Sequence, residues 1–347
     1  SYHGLTSGDM PRMKLAFWEL HECFSIWIPF QSTVDKPTFF GGNEALLRWE
    51  NGEGAIEELP GARKDGTEAW GRLGILVSQM RELNVTLYSA HAFDNNTAVI
   101  IPHNPAHLPA IWCFCSSPEF NEAVRRIDQK LNVTNATLVK VPFDLDYWQK
   151  VAQEKYPHGL PKPYSNDPTQ WIFHGHPCGS VIWDEEKKWT AHGPLRVDET
   201  VLQVAVARLL GYRWPAELDP EMELADEQRE WVEKCEELLE FADEDGIVCI
   251  PPVGGEQPAA DRLLKLLMRA YGDEWRPEIL DRLLQEVGFA GKTLEDWLRN
   301  GFFEQHLKLF RQRPFIWHIW DGRRRDGFSV FVNYHKLDRK LLEKLTY

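Results

Sequence analysis

Two runs in this 347-residue chain carry side chains that could hold a soft metal: Cys113-x-Cys115 and His174-x-His176-x-Cys178. Thiolate and imidazole are the usual zinc donors, but neither spacing is that of a common zinc finger. Cys113 and Cys115 also fall in an apolar, helix-like run, where cysteine behaves as a small hydrophobe. A metal-dependent hydrolase on His174, His176 and Cys178 is therefore the third class considered, and no metal is assigned. His318 and His335, with Asp321 or Asp338, are the residue types of a general acid–base pair; among the aromatics around them, a hydrogen-bonded, half-buried histidine is the simpler reading. Asp243-Glu244-Asp245 lacks the twelve-residue ligand periodicity of a calcium loop. There is no serine nucleophile elbow, no glycine-rich dinucleotide loop and no Walker lysine. What remains is a set of polar residues on short strands and their turns: Gln79, Arg81, His91, Asn95, Asn96, His103 and Asn104. Arginine can pair with a guanine edge and asparagine or glutamine with an adenine edge, so these are the candidate base readers.

The elements that must position them divide the chain into three parts. Residues 1–183 read as mixed α and β. Strands are predicted at Ile75–Met80, Val85–Ala90, Thr97–Ile101 and Ala136–Val141, the second and third separated by the turn-forming Asp94-Asn95-Asn96. Helices are predicted at Leu108–Cys115, Pro118–Asp128 and Leu145–Lys155, with Pro118 at a helix start. Residues 184–310 read as amphipathic helices, with apolar residues recurring at helical spacing from Val201 to Leu209 and from Leu294 to Phe310. Gly246–Pro258, with Pro251-Pro252-Val253-Gly254-Gly255, reads as an exposed loop between them, and Pro157–Pro168 as an ordered loop or linker. From Pro314 to Tyr334 the alternation of Phe315, Trp317 and Ile319, then Phe328, Val330 and Val332, predicts a β-hairpin with Arg323-Arg324-Arg325 at its tip. The fold class is thus α+β: a mixed domain, a helical domain and a closing hairpin, bounded at 1–183, 184–310 and 311–347.

Charge follows the same division. The net charge of −14 argues against a nucleic-acid partner, which usually requires a basic face to displace counterions from phosphates. The three parts carry −5, −14 and +5, so the acidity belongs to the helical middle and the closing segment is basic. Arg311, Arg313, Arg323, Arg324, Arg325 and Lys336 are the candidate backbone contacts. Six irregularly spaced cysteines, Cys23 included, read as reduced cytoplasmic thiols rather than a disulfide framework. Neither a membrane-spanning run nor a signal peptide is read. The start at Ser1 and the stop within a helix-like stretch lead to the expectation that the chain is a piece of a longer polypeptide.

Three stretches then resemble one family. Gly4-Leu5-Thr6-Ser7-Gly8-Asp9-Met10-Pro11-Arg12 with Phe17-Trp18-Glu19 looks like the junction that follows the catalytic domain in large adenine-specific DNA methyltransferases. These are the fused type IIG restriction-modification enzymes and the methylases of BREX and DISARM phage-defence systems; Ser7 stands where threonine is more usual. The run from Leu108 through Ser116-Ser117-Pro118 and Leu131-Asn132-Val133-Thr134-Asn135 to Val141-Pro142 is similar to their target-recognition domains. Arg311-Gln312-Arg313-Pro314 with Ile316-Trp317, and Tyr334-His335-Lys336-Leu337-Asp338, look like their closing segment. The resemblance implies a DNA-reading portion whose partners are double-stranded DNA, an N-terminal methyltransferase domain of the same polypeptide and further defence-system subunits. It also implies S-adenosylmethionine as the cofactor of that other domain. This chain lacks the family's cofactor loop, and its Asn104-Pro105-Ala106-His107 and Asn166-Asp167-Pro168-Thr169 do not match the Asn/Asp-Pro-Pro-Tyr/Phe motif that holds a flipped adenine. No cofactor is expected within it. The other reading of the residues is an acidic helical scaffold or protein-interaction module that binds no DNA.

Overall fold

The structure, a computed structural model, describes residues 1–21, 26–323 and 327–346. The chain is α+β. It forms two compact units, Ser1–Pro163 with Trp183–Thr190, and Tyr164–Ile182 with Ala191–Tyr347. The helical middle and the closing hairpin, expected as separate parts, fall together in the second unit.

In the first unit, β1 (Tyr2–His3), β2 (Lys14–Ala16), β3 (Trp27–Gln31), β4 (Ala45–Arg48), β5 (Ile75–Ser78), β6 (Val85–Leu87), β7 (Ala92–Phe93) and β8 (Thr97–Ile100) make two four-stranded sheets. Their orders are β1-β8-β5-β6 and β2-β4-β3-β7. The first sheet is antiparallel throughout, with Val77 of β5 facing Ala98 on one side and Val85 on the other. Side chains alternate across it with the period of two that a strand imposes. Ile75, Val77, Val85 and Ile100 pack with Trp112, Phe114, Phe120 and Trp148 of three helices, Leu108–Cys115, Pro118–Ile127 and Leu145–Lys155. Leu76 and Val99 pack on the opposite side with Tyr88 and Phe93. Each large side chain so buried contributes roughly 1.5–3 kcal/mol before entropy is counted.

All three of these helices occupy their predicted positions, but Ala136–Val141 is not a strand. Its start belongs to a short helix, Asn135–Leu138, whose Leu138 is buried while Val139 stays exposed. The β-branched residues read as a strand, yet the open edge of β6 is already taken: Thr38 N–H donates to Val85 O at 3.1 Å and Leu87 N–H to Phe39 O at 3.0 Å.

The Gly4–Arg12 motif locks the chain start onto the first unit. Leu5 N–H donates to Phe93 O, and Thr6 and Arg63 exchange backbone hydrogen bonds of 3.0 and 2.7 Å. A Cβ on Gly4 would stand 2.0 Å from the carbonyl oxygen of Asp94, so only glycine permits this approach. Asp9 caps the short helix Met10–Met13.

Strands β9 (Val181–Asp184) and β10 (Trp189–His192) pair with each other. The second unit is built around the helix Glu199–Leu209, which is buried from Val201 to Leu209 rather than on one stripe only. Asp198 caps it by accepting from Thr200 N–H at 2.8 Å. Helices Pro215–Leu218, Asp226–Lys234, Ala259–Tyr271, Pro277–Glu286, Leu294–Asn300 and Phe302–Leu309 follow it in the helical part. The predicted hairpin forms as β12 (Ile316–Trp320) and β13 (Ser329–Asn333), but it is not alone. Residues 247–249, read from the sequence as loop, form β11 (Ile247–Cys249), which pairs antiparallel with β13 to give the order β11-β13-β12. That third strand joins the hairpin to the helical part, which is why 311–347 is not a unit of its own. Val330 and Val332 lie under Leu341 of the helix Arg339–Thr346.

Candidate nucleic-acid interface

Three turns meet at one end of the β1-β8-β5-β6 sheet. Gln79, just beyond β5, is 3% exposed and ties them together. Its N–H donates to Asn96 O at 3.0 Å and its carbonyl accepts from Val133 N–H at 2.9 Å. Its side-chain Nε2 donates to Val133 O at 2.8 Å. Met80 forms an isolated antiparallel bridge with Asn132. The guanidinium of Arg125 donates to the carbonyls of both Arg81 and Lys130. The turn between β5 and β6, the turn before β8 and the turn after the helix Pro118–Ile127 are therefore one fastened group.

Arg81 has φ +54°, a left-handed conformation costly for a residue with a Cβ; it persists here because Arg125 holds its carbonyl. Outward from this group project Arg81, Asn96, Lys130 and Asn132, all exposed, with apolar Met80 and Leu131 among them. Leu131 is 63% exposed, unusual for a leucine set between polar neighbours. Arginine and asparagine match base edges, an exposed apolar group matches the thymine methyl, and lysine matches phosphate.

Of the seven candidate readers, Arg81 and Asn96 belong to this exposed group. Gln79 holds it together from beneath, because its amide is used internally. Asn95 is adjacent, but its Nδ2 donates to Thr6 Oγ1 at 3.2 Å and so serves the chain start. His91 is half-buried beyond β6, with burial lowering its pKa and its carbonyl accepting from the Tyr88 hydroxyl. His103 and Asn104 are exposed but follow Ile100, at the opposite end of β8. Met80, Lys130, Leu131 and Asn132 were not singled out for reading. Three of the four come from a turn about fifty residues after β5, and their only local sign is an apolar residue inside a polar turn.

The backbone-contact candidates all lie in the second unit. Arg311, Arg313 and Arg323 are exposed, Arg311 with φ +54°. Arg324 and Arg325, like Cys23, lie outside the described residues. Lys336 does not suit a phosphate clamp: its Nζ donates to the carbonyls of Asp243 and Glu244 at 2.9 and 3.1 Å. Those carbonyls belong to the acidic turn, whose Asp243 side chain accepts from Ile247 N–H and pairs with Arg262.

The histidines of the 174–178 run are structural. His174 Nδ1 accepts from His176 N–H at 2.9 Å, and His176 Nδ1 accepts from Gly179 N–H at 3.1 Å. Each ring therefore carries its proton on Nε2 and presents no lone pair to a metal. Burial pushes the Cys178 thiol up to about 12 and the Cys113 thiol up to about 11, as for a cysteine packed as a small hydrophobe. Among the described residues no three His, Cys, Asp or Glu side chains are grouped to hold a metal ion. His176 does line a cleft of about 310 Å³, together with Trp231, Lys234, Arg269, Asp273 and Glu274. His318 bonds Ser329 Oγ at 2.6 Å, while Asp321 and Asp338 accept from the N–H groups of Arg323 and Leu341. His318, Asp321 and Asp338 are thus each tied into local structure.

The two stretches compared with the adenine-holding motif are used for local structure. Asn104 caps a single turn at Pro105–His107. Asn166 exchanges hydrogen bonds with the backbone of Val181, at 2.9 and 3.0 Å, so its amide is already occupied. No helix among the described residues is long and apolar enough to cross a membrane. No family model and no curated protein matches the chain.

Proposed function

We propose that this chain is the sequence-reading portion of an adenine-specific DNA methyltransferase of a restriction-modification or phage-defence system. In this reading, methyl transfer and S-adenosylmethionine belong to a separate catalytic domain of the same polypeptide, and the setting is the cytoplasm. The observation that carries the proposal is the fastened turn group at the end of the first sheet. Arg81, Asn96, Lys130 and Asn132 project from a support made rigid by Gln79 and Arg125, with Met80 and Leu131 between them. With its backbone held in place before contact, such a group has no turns left to order on binding. The basic closing segment, +5 in a chain of −14, supplies the charge that duplex phosphates need. The resemblance of the Gly4–Arg12, Leu108–Pro142 and Arg311–Asp338 stretches to the family adds to this support.

Fluorescence anisotropy with mixed duplex DNA across a salt series tests the proposal. Affinity should fall linearly with the logarithm of salt concentration, and an Arg323/Arg324/Arg325 to Ala variant should bind more weakly with a shallower slope. An Arg81→Ala/Lys130→Ala variant should lose the preference for one sequence over another. Absence of binding at every salt concentration, with the catalytic domain supplied as well, would instead support the acidic helical part as a scaffold for a protein partner.

A further inference from the structure

We infer that Asn96 reads the adenine of an A·T base pair, with Met80 and Leu131 contacting the thymine methyl group; this rests on the DNA-reading proposal above. Asn96 is exposed, yet it is held from two sides. Its backbone N–H and its side-chain Nδ2 each donate to the same oxygen, Asp94 Oδ1, at 2.8 Å. Its carbonyl accepts from Gln79 N–H at 3.0 Å.

Asp94 is in turn immobilised. It is 7% exposed, its N–H donates to Gln31 O at 3.0 Å, and its carbonyl accepts from Thr97 N–H and Thr97 Oγ1. Its second carboxylate oxygen lies 3.7 Å from the ammonium of Lys14.

The consequence is chemical. A carboxylate oxygen can only accept, so it fixes the nitrogen end of the Asn96 amide inward and prevents the amide from flipping. What remains is one N–H donor beside one carbonyl acceptor, in a set orientation. In the major groove adenine offers the N7 acceptor beside the N6 donor, the complement of that pair. Guanine offers two acceptors, and thymine an acceptor beside a methyl group. Of the other amides, Asn95 is half-buried and bonded to Thr6, Asn104 uses its oxygen to cap a turn, and Asn132 is exposed in the same group through its backbone bridge to Met80. Met80 directly follows Gln79, whose N–H holds Asn96, and its backbone pairs with Asn132, the neighbour of Leu131, so the turns that carry these two exposed apolar side chains are fastened to the backbone of Asn96.

The test starts from selection on a randomised duplex library by the full chain, followed by anisotropy on the enriched site. The wild-type chain is expected to enrich a motif with a fixed A·T pair. Asn96→Ala, with unchanged thermal melting, should lose the preference at that one position and bind the site about tenfold more weakly, the other positions and the salt slope remaining as they were. Replacing that adenine by 7-deazaadenine, which lacks the N7 acceptor, should weaken binding to the wild type and have no further effect on Asn96→Ala. Replacing its thymine by uracil should weaken both proteins alike. A motif that Asn96→Ala leaves intact, or a 7-deaza effect that persists in the variant, overturns the assignment of Asn96 while DNA reading stands. A wild-type chain that binds no duplex overturns both.

Discussion

Arg208 and Glu217 lie 2.8 Å apart in the second unit, their side chains 1% and 2% exposed. The guanidinium also donates to the carbonyls of Gly175 and Cys235, and Glu217 Oε1 accepts from Trp214 N–H at 2.9 Å. Such a pair adds little over an apolar substitute, but removing one member leaves the other charged and dry. Glu217→Gln should therefore destabilise the second unit by about 3–5 kcal/mol, read as a lower urea midpoint; a loss under 1 kcal/mol would show that water reaches Arg208. At this scale the sequence told residue types but not their duties. Asn95, Asn96 and Asn104 were equivalent as amides in turns, and it is their partners Thr6, Asp94 and Ala106 that separate them. Lys336 looked like the arginines near it until its ammonium was placed on the Asp243 and Glu244 carbonyls.

Among elements, the helices were legible because apolar residues recur at helical spacing and some starts are marked, as by Pro118 or by the capping Asp198. The strands of the first sheet at 75–78, 85–87 and 97–100 were legible from their β-branched runs. Strands β1 to β4 and β7 were not, being two to five residues long, and β3 contains Pro29, a residue that usually argues against a strand. Strand β11 hid inside a loop rich in proline and glycine. The turn group was only half legible, because its members meet across about fifty residues of chain. The Gly4 approach makes a specific claim about how these elements depend on each other. Gly4→Ala would force a Cβ against the Asp94 carbonyl, parting the chain start from the turn that carries Asn96. The expected result is a measurable fall in melting temperature together with loss of sequence preference, while the salt slope, set by charges in the other unit, is kept. Preserved sequence preference in this variant would separate the motif from the site.

For the molecule as a whole, the sequence indicated α+β and the charge asymmetry, but suggested three parts where contacts make two units. One property is most pronounced in the second unit. His174, His176 and His306 are each buried, and each uses a ring nitrogen to accept a backbone N–H, from His176, Gly179 and Ile316 respectively. Burial, with nearby cations for the first two, holds His174 well below the usual histidine value and lowers His176 and His306 to about 3. The unfolded chain binds these protons near pH 6.5 and the folded chain does not, so their contribution is complete above that pH. It is lost as pH falls from about 6.5 towards 3, by up to about 1.4 kcal/mol per pH unit for each ring. Urea midpoints at pH 7.5 and pH 5 should differ for the second unit, with a smaller difference in His306→Gln; equal midpoints would contradict the burial of these rings. The β11-β13-β12 sheet carries a consequence for how the protein is made. Its central strand is the last of the three to leave the ribosome, some eighty residues after β11. Until then Ile247, Val248 and Cys249 lack the strand they pair with, so the second unit spends part of its synthesis with this sheet incomplete, a stage at which chaperone binding would protect it most.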